Sequence, residues 1–150
     1  MKIFIAIPTY ENIQPDTFKS IYGLDKCGHW VVFDFVRGYD VASARNYIAQ
    51  QGKTEEADYI LMVDNDVIIP SDALRNLLEV PVDVCLGFYA HRWGGTFNGR
   101  TNVCKLGEFN YTDMYNVEEL RALRESGVKR EHIHGGGLGC ALMKTSVFRS

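Results

Sequence analysis

Two carboxylates one residue apart, Asp64 and Asp66 with Asn65 between them, follow directly on the apolar run Tyr59-Ile60-Leu61-Met62-Val63. The run reads as a buried strand. Side chains alternate faces along an extended backbone, so the two acids are expected to converge on one side while Asn65 points away. Paired carboxylates at a strand end repel each other unless something positive sits between them. A hard divalent cation already carrying substrate phosphates is the natural occupant. The competing reading is a polar turn capping the next helix, because Asp and Asn favour turns.

Other residue types suited to chemistry lie elsewhere in the chain. Arg45, within Ala42-Ser43-Ala44-Arg45-Asn46, offers planar donors matched to phosphate oxygens, or else makes an ordinary surface salt bridge. The run Gly135 to Gly139 could cradle phosphates through backbone N–H groups. It lacks the Gly-Lys-Ser/Thr of a P-loop and the strand-first context of a dinucleotide fingerprint. The glycines therefore read better as places where the backbone passes close to a ligand or another strand. His91, His132 and His134 are candidate metal ligands or acid–base groups, with surface or packing roles as the alternative. Tyr89 and Trp93 could stack on a sugar or base, or simply pack. Cys27, Cys85, Cys104 and Cys140 have no zinc-type spacing and read as reduced thiols.

The elements that must position these residues alternate. Ile3 to Ile7 is a strand ending at Pro8, followed by the polar loop Pro8-Thr9-Tyr10-Glu11-Asn12. Pro15 opens a helix to about Leu24. Trp30 to Val36 is a second strand, and Asp40 caps a helix from Val41 to about Gln51. After the third strand, Ser71 caps a helix with Leu74, Leu77 and Leu78 on one face. Val82 to Tyr89 is a fourth strand. This order predicts a single α/β, Rossmann-like domain with a mostly parallel sheet and helices on both faces. Ligands of such sheets bind outside the carboxyl ends of the strands, where Thr9-Tyr10-Glu11, Arg37 and Asp64-Asn65-Asp66 fall. Beyond them, His91 to Asn102 reads as a mobile glycine-rich loop and Thr101 to Leu106 as a strand. Asn116 with Glu119 forms a capping box for a helix through Ser126, closed by Gly127. Cys140 to Met143 is a last strand, and Thr145 starts a helix.

Length and charge narrow the classes. A chain of 150 residues, 46% hydrophobic and 23% charged, makes one domain with a sizeable core. A net charge of -3 argues against a general nucleic-acid footprint, though not against one nucleotide. No apolar run approaches a membrane span, and Met1-Lys2 leads straight into a strand with no signal peptide, so a cytoplasmic location is expected.

Taken in order, four segments resemble the nucleotide-sugar glycosyltransferases of the GT-A type, closest to family 2. Ile5-Ala6-Ile7-Pro8-Thr9-Tyr10 is similar to their first strand and nucleotide-binding loop, and Ala42-Ser43-Ala44-Arg45-Asn46 to their alanine-rich helix. Tyr59 through Asp66 is similar to their strand and DXD motif, and Gly135 through Phe148 to a later segment near the acceptor side. The resemblance implies a GT-A domain that uses a nucleoside-diphosphate sugar of UDP or GDP type with Mn²⁺ or Mg²⁺; the acceptor stays open. It places Pro8, Thr9, Tyr10 and Glu11 around base and ribose, Arg45 near the nucleotide, and Asn65, Gly136 and Gly137 along the substrate. Asp66 becomes the principal metal ligand, Asp64 a ribose or metal contact, and His134 a further candidate ligand. Inverting family members carry a catalytic carboxylate after the glycine-rich segment, often in a Glu-Asp pair. Ser150 is reached before any such pair, and Glu108 and Asp113 do not match by position, so no catalytic base is assigned. Either the native chain is expected to continue past Ser150, or this segment binds sugar nucleotide without completing catalysis. The alternatives are a sugar nucleotidyltransferase of related architecture, whose glycine-rich basic loop Thr9-Tyr10-Glu11 does not match, and a binding module without activity.

Overall fold

Ile3, Phe4, Ile5, Ala6 and Ile7 are all buried, so their strand is covered on both faces. The computed structural model describes residues 1–38, 40–93, 96–106, 114–128 and 131–148. Gly94, Gly95, Glu108, Asp113 and Ser150 fall outside them, as do the side chains of His91, Arg92 and Trp93. The elements are β1 (Lys2–Thr9), α1 (Pro15–Tyr22), β2 (Trp30–Arg37), α2 (Val41–Thr54), β3 (Tyr59–Val63), α3 (Ala73–Leu78) and β4 (Val84–Leu86). They continue with β5 (Ala90–Trp93), β6 (Thr96–Cys104), β7 (Met114–Asn116), α4 (Val117–Glu125), β8 (Gly135–Gly136), β9 (Cys140–Lys144) and a 3₁₀ turn at Thr145–Phe148. The chain divides into two compact units. Met1–Gly87 with Leu138–Ser150 make the first, and Phe88–Gly137 make the second.

The first unit holds a five-stranded sheet in the order β2-β1-β3-β9-β4. β1 pairs in parallel with β2 and β3, while β9 is antiparallel to both β3 and β4. The sheet is therefore mixed α/β, and β9 is the departure from the parallel arrangement expected. Its direction has a simple cause. The chain leaves the sheet after β4 and re-enters at β9, and the Gly87 N–H donates to the Cys140 carbonyl at 2.8 Å, so exit and return share one edge.

Register puts Phe4 opposite Ile60 and Ala6 opposite Met62. These side chains cluster with Ala44 and Ile48 of α2 and with Ala141 and Met143 of β9. Gly52 lets α2 lie close to this layer, since a Cβ there would meet the Ile60 Cδ1 at 2.4 Å. The alternate positions Ile3, Ile5, Ile7, Leu61 and Val63 are equally buried, as are Ile21 of α1 and Leu74 and Leu77 of α3.

Local signals set most helix ends. Asp40 caps α2 as expected, its side chain accepting from the Ala42 and Ser43 N–H groups. Pro15 begins α1. At α3 the N-cap is Asp72, without a side-chain bond, rather than Ser71. β4 is shorter than expected because Val82 is held in a tight turn to the Val80 carbonyl and the chain turns out of the sheet at Gly87.

In the second unit β6 is central: β5 and β7 pair with it antiparallel, and β8 does so at Val103 and Cys104. Of the stretch from His91 to Asn102, expected to be a loop, residues 91–93 lie in β5 and residues 96–102 in β6. Its polar, glycine-rich composition lacks an alternating apolar face, yet β5 and β6 pair with each other between near neighbours such as Arg92 and Phe97. The capping box of α4 is as expected, with Asn116 and Glu119 each accepting the other's backbone N–H. No described helix is long and apolar enough to cross a membrane.

Candidate functional site

β1, β2 and β3 end at the same edge, with Thr9 opposite Arg37 in register and Asp64 immediately after β3. Asp64 continues the parity of Ile60 and Met62, the side that α2 covers, and it meets Arg45 there. The Arg45 Nη2 donates to the Asp64 Oδ1 at 3.0 Å and Oδ2 at 3.2 Å. Both side chains are about three-quarters covered, at 25% and 28% exposed. The Arg45 Nε is buried and has no hydrogen-bond partner among the described residues.

The strand stops at Val63, so the alternation expected for the acids does not reach Asp66. The Val67 N–H donates to the Asp64 carbonyl at 3.1 Å, which places Asn65 and Asp66 in the middle of a turn. This is the turn geometry that Asp and Asn favour, and it leaves Asp66 exposed beside the half-buried Asp64. Asn65 faces the loop after β1: its Nδ2 donates to the Asn12 carbonyl at 2.8 Å, and its own carbonyl accepts from the Gln14 N–H at 3.0 Å.

That loop is folded on itself. Thr9 is buried and its hydroxyl donates to the Asn12 carbonyl at 2.6 Å, with Pro8 half-buried before it. Tyr10 and Glu11 are exposed, and the Glu11 carbonyl accepts from the Arg37 Nη2 at 2.9 Å. Asn12, whose carbonyl receives both Thr9 and Asn65, is a hub that carries no motif signal in the sequence.

His134, Gly136 and Gly137 belong to the second unit. Gly135 and Gly136 are β8, the His134 N–H donates to the Cys104 carbonyl, and the Gly137 N–H donates to the Asn102 carbonyl. A Cβ at Gly137 would lie 2.7 Å from the Tyr89 hydroxyl. Gly137 thus leaves room for the Tyr89 hydroxyl, whereas a Cβ at Gly135 would meet nothing within 4 Å. Asn102, buried at their side, accepts from the Tyr89 N–H and donates to the Gly137 carbonyl. His132 and His134 are exposed.

Among the described residues no three His, Cys, Asp or Glu side chains gather as a ready cation cage. A hollow of about 810 Å³ opens at the opposite edge of the first unit's sheet, lined by Met1, Lys53, Asp58, Tyr59 and Lys144. It lies at the amino ends of β1 and β3, away from Asp64 and Asp66, and Lys144 there is already paired with Asp83 at 2.7 Å.

No known protein family matches the sequence, and no curated protein matches it. Among solved structures the chain is similar to A197 from STIV, with a TM-score of 0.58 and 18% identity over 96% of this chain. The match spans 65% of that protein's length. At this identity the likeness is one of fold.

Proposed function

We propose that the first unit is the sugar-nucleotide site of a metal-assisted GT-A glycosyltransferase. The observation that carries the reading is the pairing of a half-buried, arginine-held Asp64 with an exposed Asp66 one turn on, at the carboxyl edge of three adjacent parallel strands. The four sequence segments that resemble family 2 also support it.

The residues present fit Mn²⁺ or Mg²⁺ held chiefly by Asp66. A hard cation of this kind takes one or two carboxylates and fills its remaining positions with phosphate oxygens and water. Asp64 already receives a guanidinium on both oxygens, which suits it to orient Arg45 and to accept a ribose hydroxyl. When bound, the ion supplies charge stabilisation for the departing diphosphate. Arg45 adds a fixed positive charge beside it, and its orphaned Nε is a donor of the kind that a bound oxygen acceptor satisfies. The Thr9–Asn12 and Asn65–Asn12 hydrogen bonds hold the β1 loop against the turn, so the nucleotide would meet a preorganised edge.

Thermal-shift measurements with UDP, GDP and CDP, each with and without Mn²⁺, test this directly, because a ligand bound only by the folded state raises Tm. At least one diphosphate is expected to stabilise the protein only when metal is present, and Asp66→Ala to abolish the shift. Equal shifts without metal, or none with any nucleotide, would defeat the proposal.

A further inference from the structure

Arg37 stands at the carboxyl end of β2, directly across from Thr9 in register. It is exposed, yet it is anchored, because its Nη2 donates to the Glu11 carbonyl. A guanidinium carries five donors in one plane. Using one of them on a main-chain carbonyl limits the orientation of that plane and leaves the others on an exposed head. Tyr10, the residue between Thr9 and Glu11, is 73% exposed, an aromatic face presented to solvent on the same loop. An exposed ring and an anchored guanidinium on adjoining strand ends are the two parts from which proteins build a nucleobase reader. The ring supplies a stacking surface, and the guanidinium supplies paired donors.

We infer that Arg37 selects the base of the bound nucleotide, favouring one that presents two neighbouring acceptors. This rests on the nucleoside-diphosphate reading above and narrows it. Guanine presents such a pair through O6 and N7, and cytosine through N3 and O2. Uracil alternates acceptor, donor and acceptor along its edge, and adenine sets an amino donor beside N7, so neither gives a fork of donors two partners. The site therefore takes GDP or CDP in preference to UDP and ADP. No carboxylate among the hydrogen-bond partners of Arg37 competes for its donors, since its one described partner is a carbonyl.

The test is calorimetric titration of the chain with GDP, CDP, UDP and ADP in Mn²⁺, with inorganic pyrophosphate as the base-free control, on the natural protein and on Arg37→Lys and Arg37→Glu. GDP or CDP should bind roughly tenfold or more tighter than UDP and ADP, the difference expected of one bidentate base contact. The GDP and CDP arms identify which base is read. Arg37→Lys keeps the charge but not the fork, so it should erase the preference while leaving pyrophosphate binding within about twofold. Arg37→Glu replaces the donors by acceptors, so it should bind CDP no tighter than UDP. UDP binding as tightly as GDP and CDP to the natural protein would overturn the inference and leave the diphosphate reading standing. So would a preference that survives in Arg37→Lys, or a loss of pyrophosphate binding in that variant, which would make Arg37 a phosphate anchor. Failure of every nucleoside diphosphate to bind would remove both.

Discussion

The guanidinium of Arg45 rests on both carboxylate oxygens of Asp64, at 3.0 and 3.2 Å, and thereby ties the first turns of α2 to the end of β3. A pair this far covered is worth more than a surface ion pair, because each partner would otherwise be left half-desolvated. A double-mutant cycle of Arg45→Ala and Asp64→Ala should give a coupling energy on the order of 1 kcal/mol in chemical denaturation. Additive losses would mean that the contact contributes no net stability and that its role is confined to the bound state.

Gly52 is expected to tolerate no side chain. Alanine there would gain about 1 kcal/mol of helix propensity but would drive a methyl into Ile60, which is fully buried. Overpacking costs about 1–3 kcal/mol, so the net change should be a loss of up to about 2 kcal/mol. Replacing Ile60 by alanine removes the colliding atoms. Gly52→Ala should therefore be neutral or stabilising in an Ile60→Ala background, and equal losses in both backgrounds would place the strain elsewhere.

Asn102 joins residues 89 and 137, the two ends of the second unit, through its side chain and its backbone. Asn102→Ala leaves the Tyr89 N–H without its 2.7 Å acceptor and should destabilise this unit by about 1–3 kcal/mol. Amide exchange should speed up at Tyr89 and Gly137 while β1 and β3 keep their protection. Uniform loss of protection through the whole chain would mean that the two units unfold together.

Lys105 holds the Glu119 carboxyl below its usual range by a side-chain hydrogen bond, and the Asn116 N–H adds to the effect. A carboxyl lowered in the folded state contributes stability above its unfolded value, near 4.5, and loses it as pH falls through the lower folded value. Glu119→Gln should therefore weaken α4 at neutral pH and make little difference once the pH is well below the lowered folded value. Asn116→Ala, which removes the other half of the capping box, should cost about 1 kcal/mol at both pH values. A Glu119→Gln effect that does not change with pH would count against the ion pair.

Cys140 sits opposite Val63 on β9, and burial pushes its thiol up to about 11. The Gly87 N–H partly offsets that rise, while Cys85 and Asp64 add to it. The thiolate is the reactive form, so iodoacetamide at pH 8 should label Cys140 far more slowly in the native protein than in urea. Because the folded value is the higher one, stability should decline as pH rises from about 9 toward 11. Rapid native labelling of Cys140 would show that β9 opens locally.

The local chemistry of the sequence determined the first three strands, Pro15 at the start of α1, the Asp40 cap and the capping box of α4. Each depends on residues within a few positions of one another, and apolar runs and cap side chains act at that range. The direction of β9, the pairing of β6 with β7 and β8 and the hub at Asn102 were decided only by tertiary structure. β9 rests on Tyr59–Val63 and Val84–Leu86, and Asn102 bonds to Tyr89 and Gly137, 13 and 35 residues away along the chain; polar, glycine-rich segments carry no periodic face that announces such pairing. At the candidate site the same division holds. The composition Asp64-Asn65-Asp66 is plain in the sequence, but which carboxylate faces helix and which faces water was settled by a turn at Val63 and by where α2 places Arg45. Strand alternation ends where the extended backbone ends, and only packing specifies that point.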